Sequence, residues 1–188
     1  MGKNTETSTK YSQPVPRNAT AEQIFEYAEL IAEKLNLKPG DDLKSVVKHL
    51  NGEIDYLEFK KNQSRHASIE VEKNGSFRIW LHPFLFPLEK RLSMAHELGH
   101  LFMHSRYKEE PLEASYIPDR LKKKLGEKKQ VEYELVEYEA DVFAHGLLMP
   151  TKMFKKALDD FNGDSIQIAA YFMVPEPAVH QRMIYGGF

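Results

Sequence analysis

Ser93-Met94-Ala95-His96-Glu97-Leu98-Gly99-His100-Leu101-Phe102 is the stretch on which the reading of this chain turns. Met94, Ala95, Leu98, Leu101 and Phe102 supply an apolar side at helical spacing, so the stretch predicts a well-buried amphipathic helix. His96 and His100 stand at i and i+4, one turn apart on the same face. Two neutral imidazoles so placed can take two corners of a tetrahedral Zn²⁺ site. Glu97 sits beside the first of them and can act on water without itself binding the ion. That is the His-Glu-x-x-His pattern of zinc peptidases, in which the carboxylate serves as general base. The bland alternative is a helix carrying two unrelated histidines, and the pattern is short enough that its downstream context has to decide.

A catalytic zinc keeps three protein ligands and one open position. The chain of 188 residues contains no cysteine, so no disulfide framework or thiolate site is available and the ion must be held by His and carboxylate. A second helix is predicted from about Val131 to Leu148, and Glu132, Glu134, Glu137 and Glu139 all lie on it. A ligand histidine usually donates its other ring N–H to a carboxylate, which fixes its tautomer. Glu137 and Asp141, at i and i+4, can do both jobs from one helix face. Glu139 points about 160° away from Glu137 on ideal helix geometry. The expected ligand set is therefore His96, His100 and Glu137 around one Zn²⁺, with Asp141 behind a ligand histidine and Glu139 as the alternative third ligand. Ala140 is small enough to let the two helices approach closely. His104 is not expected as a ligand, because an α-helix turns roughly 80° and rises about 12 Å between His96 and His104. It reads as a helix-end histidine lining the cleft. An oxyanion-stabilising side chain is expected among Tyr107, Tyr133, Tyr138, His104 and His145.

Around these two helices the pattern is α+β. Residues 1–18 are rich in Ser, Thr, Asn, Lys and Pro and read as a flexible tail, leaving 19–188 as one domain. Thr20-Ala21-Glu22-Gln23 is a capping box for a helix with Ile24, Phe25, Ala28, Ile31, Ala32 and Leu35 inward. A short helix capped by Asp41 or Asp42 follows. Strands are predicted around Ile54 to Phe59, over Ser68 to Glu72 and over Ser76 to Leu81, the last two joined through Lys73-Asn74-Gly75, where both Asn and Gly tolerate positive φ. The strand around Ile79 leads directly into the His-Glu-x-x-His helix and is expected to be the sheet edge on which an extended substrate pairs. From Ser105 to Gln130 the chain reads as irregular and charged, with Arg120, Lys122, Lys123, Lys124, Lys128 and Lys129 forming a basic run on a solvated face. Residues 164–188 read as a C-terminal helical pair.

With these residues in place the chain resembles the ImmA/IrrE metallopeptidase family. The resemblance rests on Ala95-His96-Glu97-Leu98-Gly99-His100-Leu101-Phe102-Met103-His104, on Glu137-x-x-Ala140-Asp141-x-Phe143-Ala144, and on Leu147-Leu148-Met149-Pro150, the most distinctive part because zinc chemistry does not demand it. It runs from about residue 22 to 185. It implies a zincin-like metallopeptidase core with a small mixed or antiparallel sheet, and a His, His, Glu zinc site of gluzincin type. It also implies C-terminal helix-turn-helix-like helices, and site-specific cleavage or inactivation of a cognate helix-turn-helix transcriptional repressor, as in phages and mobile elements. Asp141 stands where the family often has Asn, a change that keeps the acceptor, and the charged insert between the two motifs is long.

Two other functions compete with a zinc endopeptidase. One is a zincin-fold module that sequesters a repressor without cutting it; the general base at Glu97 argues for cutting. The other is a DNA-binding regulator that uses the C-terminal helices, where Gln181 and Arg182 are offset by Glu176. A net charge of -2 gives no global reason for direct nucleic-acid binding. No apolar run approaches membrane-spanning length, and Met1 to Thr20 contains no apolar signal core, so a cytoplasmic protein is expected.

Overall fold

Thr20 starts the first helix by a reciprocal cap. Its hydroxyl accepts from the Gln23 N–H at 3.3 Å, and the Gln23 side chain accepts from the Thr20 N–H at 3.0 Å. α1 (Ala21–Lys34) buries Ile24, Phe25, Ala28, Ile31 and Ala32, the stripe legible in the sequence, against α4 (Glu127–Leu148). α2 (Leu43–His49) is capped by Asp42, whose carboxylate accepts from the Lys44 N–H at 3.1 Å. This computed structural model describes residues 13–57, 68–105, 112–115 and 126–188. Phe59, Tyr107, Arg120, Lys122, Lys123 and Lys124, which the sequence reading singles out, lie outside them. Lys128 and Lys129 begin α4 on its exposed side.

Four strands form one mixed sheet: β1 (Gly52–Tyr56), β2 (Ser68–Val71), β3 (Phe77–Leu81) and β4 (Leu112–Ser115), in the order β1-β3-β2-β4. β1 runs parallel to β3 with Ile54 opposite Ile79, and β2 is antiparallel to β3 and β4, Ile69 facing Ile79 on one side and Ala114 on the other. The strand around Ile79 is thus interior and paired on both sides, which corrects its reading as the substrate-pairing edge. Phe77, Ile79 and Leu81 are all buried, and an alternating pattern fixes which face goes inward but not which strands flank it. β4 falls in the stretch read as irregular. Leu112-Glu113-Ala114-Ser115 has none of the β-branched or aromatic residues that mark a strand, and it is extended because it pairs with β2. The β2–β3 turn also differs from expectation. Only Gly75 takes positive φ, at 84°, while the Asn74 side chain accepts from the Ser76 N–H at 2.9 Å and the Ser76 hydroxyl at 2.7 Å.

β3 leads into α3 (Pro87–Gly99). Pro87 occupies its first turn, and the Glu89 side chain accepts from the Phe86 N–H at 2.8 Å. Ala95 and Leu98 are fully buried, and each buried aliphatic side chain of leucine size stabilises the fold by roughly 1.5–3 kcal/mol. The helix does not stop at Gly99. It widens into one π-turn, His100–His104, closed by the Ser105 N–H donating to the His100 carbonyl at 3.1 Å.

Three helices finish the fold: α5 (Thr151–Asp160), α6 (Ser165–Phe172) and α7 (Glu176–Gly186). Asp164 caps α6, accepting from the N–H groups of Ile166 and Gln167 at 3.0 and 3.1 Å. α7 buries Ala178, Val179 and Arg182. The Arg182 guanidinium lies 3.8 Å over the Phe25 ring and donates to the Met149 carbonyl at 3.1 Å and the Thr151 hydroxyl at 2.8 Å. The cation offered by the sequence for DNA is therefore fully buried between α1 and α5, and the pair closes the core. No helix among the described residues is long and apolar enough to cross a membrane.

Candidate metal centre

The site is made where α3 crosses α4, and Gly99 permits the crossing. A Cβ at Gly99 would lie 2.7 Å from the Ala140 carbonyl oxygen and 2.9 Å from its Cα, contacts that no side chain can make. Glycine on one helix and alanine on the other thus bring the two backbones close enough for a short acidic side chain on α4 to reach the histidines of α3.

That acid is Glu137. His96 Nε2 and His100 Nε2 are 3.2 Å apart. Glu137 Oε2 lies 3.4 Å from His96 Nε2, and Glu137 Oε1 lies 3.6 Å from His100 Nε2. Corners of a tetrahedron with bonds of ~2.0–2.1 Å are about 3.3 Å apart, so this donor set fits a zinc-sized ion. His96, His100 and Glu137 form a group that could hold a metal ion. Glu139, the alternative ligand, points the other way and is completely buried. It accepts from His104 Nε2 at 3.0 Å and from the backbone N–H groups of Arg17 at 2.8 Å and Ala19 at 3.1 Å. Arg17 lies in the stretch read as a flexible tail; it is anchored here, and its Nε also donates to the Met103 carbonyl.

Asp141 stands behind His96, with its carboxylate 3.9 Å from His96 Nδ1. Tyr185 from α7 donates its hydroxyl to Asp141 at 2.7 Å. His145 Nδ1 donates to the Asp141 backbone carbonyl at 2.8 Å, which leaves its Nε2 an acceptor buried without a partner. His104 neither lines the cleft nor joins the ligand group. It is buried, and its Nδ1 lies 3.1 Å from His100 Nδ1. The sequence reading missed these roles of His104, Glu139 and Tyr185. The bond from His104 to Glu139 joins residues 35 apart in sequence, and Tyr185 has no local motif to mark it.

The electrostatics divide the site. Burial opposes charge on His96, but Asp141 and Glu137 outweigh it and lift its pKa to about 10 in the metal-free chain. Burial holds His100 well below the ordinary imidazole range, and His96 and His104 add to the effect. Burial pushes the Glu97 carboxyl up to about 8; His96 pulls against this and Glu137 adds to it. Glu97 is 2% exposed, and its Oε2 has no hydrogen-bond partner. A buried acid next to a donor triad, with one oxygen unpaired, has the environment of a group that exchanges a proton during a reaction rather than one that holds the fold.

An α+β domain in which a His-Glu-x-x-His helix meets a glutamate from a second helix is a candidate metallohydrolase of the zincin-like class. The chain belongs to the IrrE N-terminal-like domain family, Peptidase_M78, whose model matches residues 47–183. A search of curated proteins returns no match. Among solved structures, one described as a Mycobacterium tuberculosis transcriptional regulator is similar at a TM-score of 0.57 and 15% sequence identity, over 89% of this chain and 48% of that one. At that identity the likeness shows the fold alone, and this chain spans about half the length of that protein.

Proposed function

We propose that the protein is a zinc-dependent endopeptidase of the cytoplasm that cuts a helix-turn-helix transcriptional repressor once, in an extended segment. The observation that carries this reading is the spacing of the His96, His100 and Glu137 donor atoms, all within 4.8 Å of one another, beside the unpaired buried oxygen of Glu97. A zinc ion held there supplies Lewis acidity, which acidifies water and polarises a peptide carbonyl. Glu97 takes the proton from the attacking water at Oε2 and passes it to the leaving amine. Burial favours both halves of that role: it raises the proton affinity of Glu97 from the ordinary carboxylate value toward neutrality, where a group can both accept and release a proton. The Asp141 carboxylate lies 3.9 Å behind His96 Nδ1, placed to orient that ring, and Tyr185 holds Asp141 by a hydrogen bond.

The peptidase family supports a protein target, and the motifs shared with ImmA/IrrE metallopeptidases point to a regulatory one. A linker between a repressor's DNA-binding and dimerisation domains offers an unfolded backbone, and cutting it separates two half-sites that bind tightly only together. Glu97→Gln keeps the charge-neutral shape and the three donors but removes the proton shuttle, so it is expected to bind zinc and to abolish hydrolysis. The check is incubation with zinc and a helix-turn-helix repressor, taken from the neighbouring gene if one is encoded there, with fragments read by mass spectrometry. A single cut that disappears in Glu97→Gln is the expected result. Release of the repressor from its operator with the repressor intact would instead establish the sequestering module, and an unchanged cleavage rate in Glu97→Gln would remove this mechanism.

A further inference from the structure

We infer that His104 and Glu139 are positioning residues for His100, and that through them the segment ahead of α1 is part of the metal centre. The inference rests on the metal reading above and adds the hydrogen-bond chain behind one ligand. His100 turns Nε2 toward His96 and Glu137, so a lone pair is needed there and its ring proton sits on Nδ1. His100 Nδ1 is 3.1 Å from His104 Nδ1, and only one of two nitrogens in such a contact can donate. His104 Nδ1 is therefore the acceptor, and its proton sits on Nε2. That nitrogen lies 3.0 Å from Glu139 Oε2 and donates to it. The carboxylate is completed by the N–H groups of Arg17 and Ala19 at 2.8 and 3.1 Å. Each donor meets an acceptor, and the direction of every bond follows once His100 Nε2 faces the ion.

Two observations separate this chain from incidental packing. His104 and Glu139 are 4% and 0% exposed, so water cannot replace either partner. His104 stands one turn on from His100 inside the π-turn, a form frequent at functional sites, with ring centroids 5.2 Å apart and planes tilted at 48°. The Arg17 side chain bonds the Met103 carbonyl inside that turn. Carboxylate-supported histidines are held in one tautomer and one orientation before the ion arrives, which raises their affinity. Here the support is relayed through a second histidine, and its far end is the backbone of residues 17–19. Anything that lifts that segment off α4 leaves Glu139 without two donors and loosens His100.

The test compares full-length wild type, His104→Phe, Glu139→Gln and the double variant. Zinc affinity is measured by chelator competition, the visible spectrum is recorded with Co²⁺ in place of zinc, and circular dichroism checks the fold. Each single variant is expected to bind zinc about 10–100-fold more weakly with shifted Co²⁺ bands. The double variant is expected to be no weaker than the worse single one, because one relay is broken once. Wild-type affinity in both singles, or losses that multiply in the double, overturns the inference. Should the buried substitutions unfold the chain, Arg17→Pro removes one N–H donor to Glu139 and the guanidinium from a residue outside every helix and strand. It is expected to weaken zinc about 2–10-fold, and an unchanged affinity overturns the inference. A wild type that binds no zinc overturns the metal centre itself, whereas zinc bound equally by wild type and all variants overturns only the relay.

Discussion

The two histidines of the candidate centre are held from opposite ends of the chain and in different ways. His96 is backed by Asp141, a part-exposed carboxylate 3.9 Å from the ring, and Asp141 is held by Tyr185 from the last helix. His100 is backed by His104 and Glu139, buried and bonded at 3.1 and 3.0 Å, with the segment before the first helix at the far end. Partial exposure makes the first support soft, because water can take over part of what Asp141 does. Burial makes the second rigid and also structural, since Glu139 cannot be lost without stranding donors inside the protein. One side of the centre is therefore expected to tune metal affinity alone, while the other ties affinity to the stability of the fold.

The largest effect tests whether the two sides meet at one ion. Wild type is expected to carry about one zinc per chain, and His96→Ala and His100→Ala are each expected to carry none, measured by elemental analysis after gel filtration. Equal losses mean a shared ion. Retention of zinc in either variant would mean that the two histidines do not act together.

Acid titration separates the supports next. The pKa of Glu139 is shifted in opposite senses by burial, which raises it, and by His104 and the Arg17 and Ala19 N–H groups, which win and place it below the ordinary 4.5. A folded value below the unfolded one gives stability that is present above pH 4.5 and lost as pH falls through the folded value. In the metal-free protein, Glu139→Gln is expected to cost about 1–3 kcal/mol at pH 7, and the gap to wild type is expected to close as pH falls below the carboxylate range. Asp141 is likewise held below its ordinary value, burial again opposing and His96 prevailing. With about a third of its side chain exposed, Asp141→Asn is expected to move denaturant midpoints much less. Equal acid limbs for the two variants would erase the distinction between a soft and a rigid support.

Most of the ligand side of this site could be read before any coordinates. Helical periodicity decides which residues share a face, and His96 with His100, and Glu137 with Asp141, are all pairs within one regular turn. Glu97 is next to His96 in sequence, so its place beside the donor group is legible too. The support side could not be read. His104 lies one turn on from His100, but nothing local says that its other ring nitrogen meets Glu139, 35 residues away. Glu139 meets backbone groups 120 and 122 residues away, and Tyr185 meets Asp141 across 44. Long-range hydrogen bonds of this kind leave no periodic trace. The fold divides similarly. Caps and apolar stripes announce the helices and three of the strands, but strand order is a matter of which backbones pair, so β3 reads as an edge from its sequence and proves to be interior, and β4 is extended only by pairing.

The smallest effect probes the outermost link on the soft side. Tyr185→Phe removes one hydroxyl from Asp141 and keeps the ring that packs against Tyr138 and His145, at centroid distances of 5.5 and 5.4 Å. A hydrogen bond to a charged group is worth about 1.5–3 kcal/mol when fully buried and less where water can replace it. Asp141 keeps a water-accessible side and its contact with His96, so only part of that is expected to reach the metal. Asp141→Ala is expected to weaken zinc about 10–100-fold, and Tyr185→Phe by no more than about tenfold, with the fold unchanged. The two should not add: once Asp141 is gone the hydroxyl has nothing to hold, so the double variant should match Asp141→Ala alone. An additive loss would mean that Tyr185 acts on the centre, or on a bound peptide, by a route that bypasses Asp141. In that case the C-terminal helix would be a working wall of the site and not merely a brace behind it.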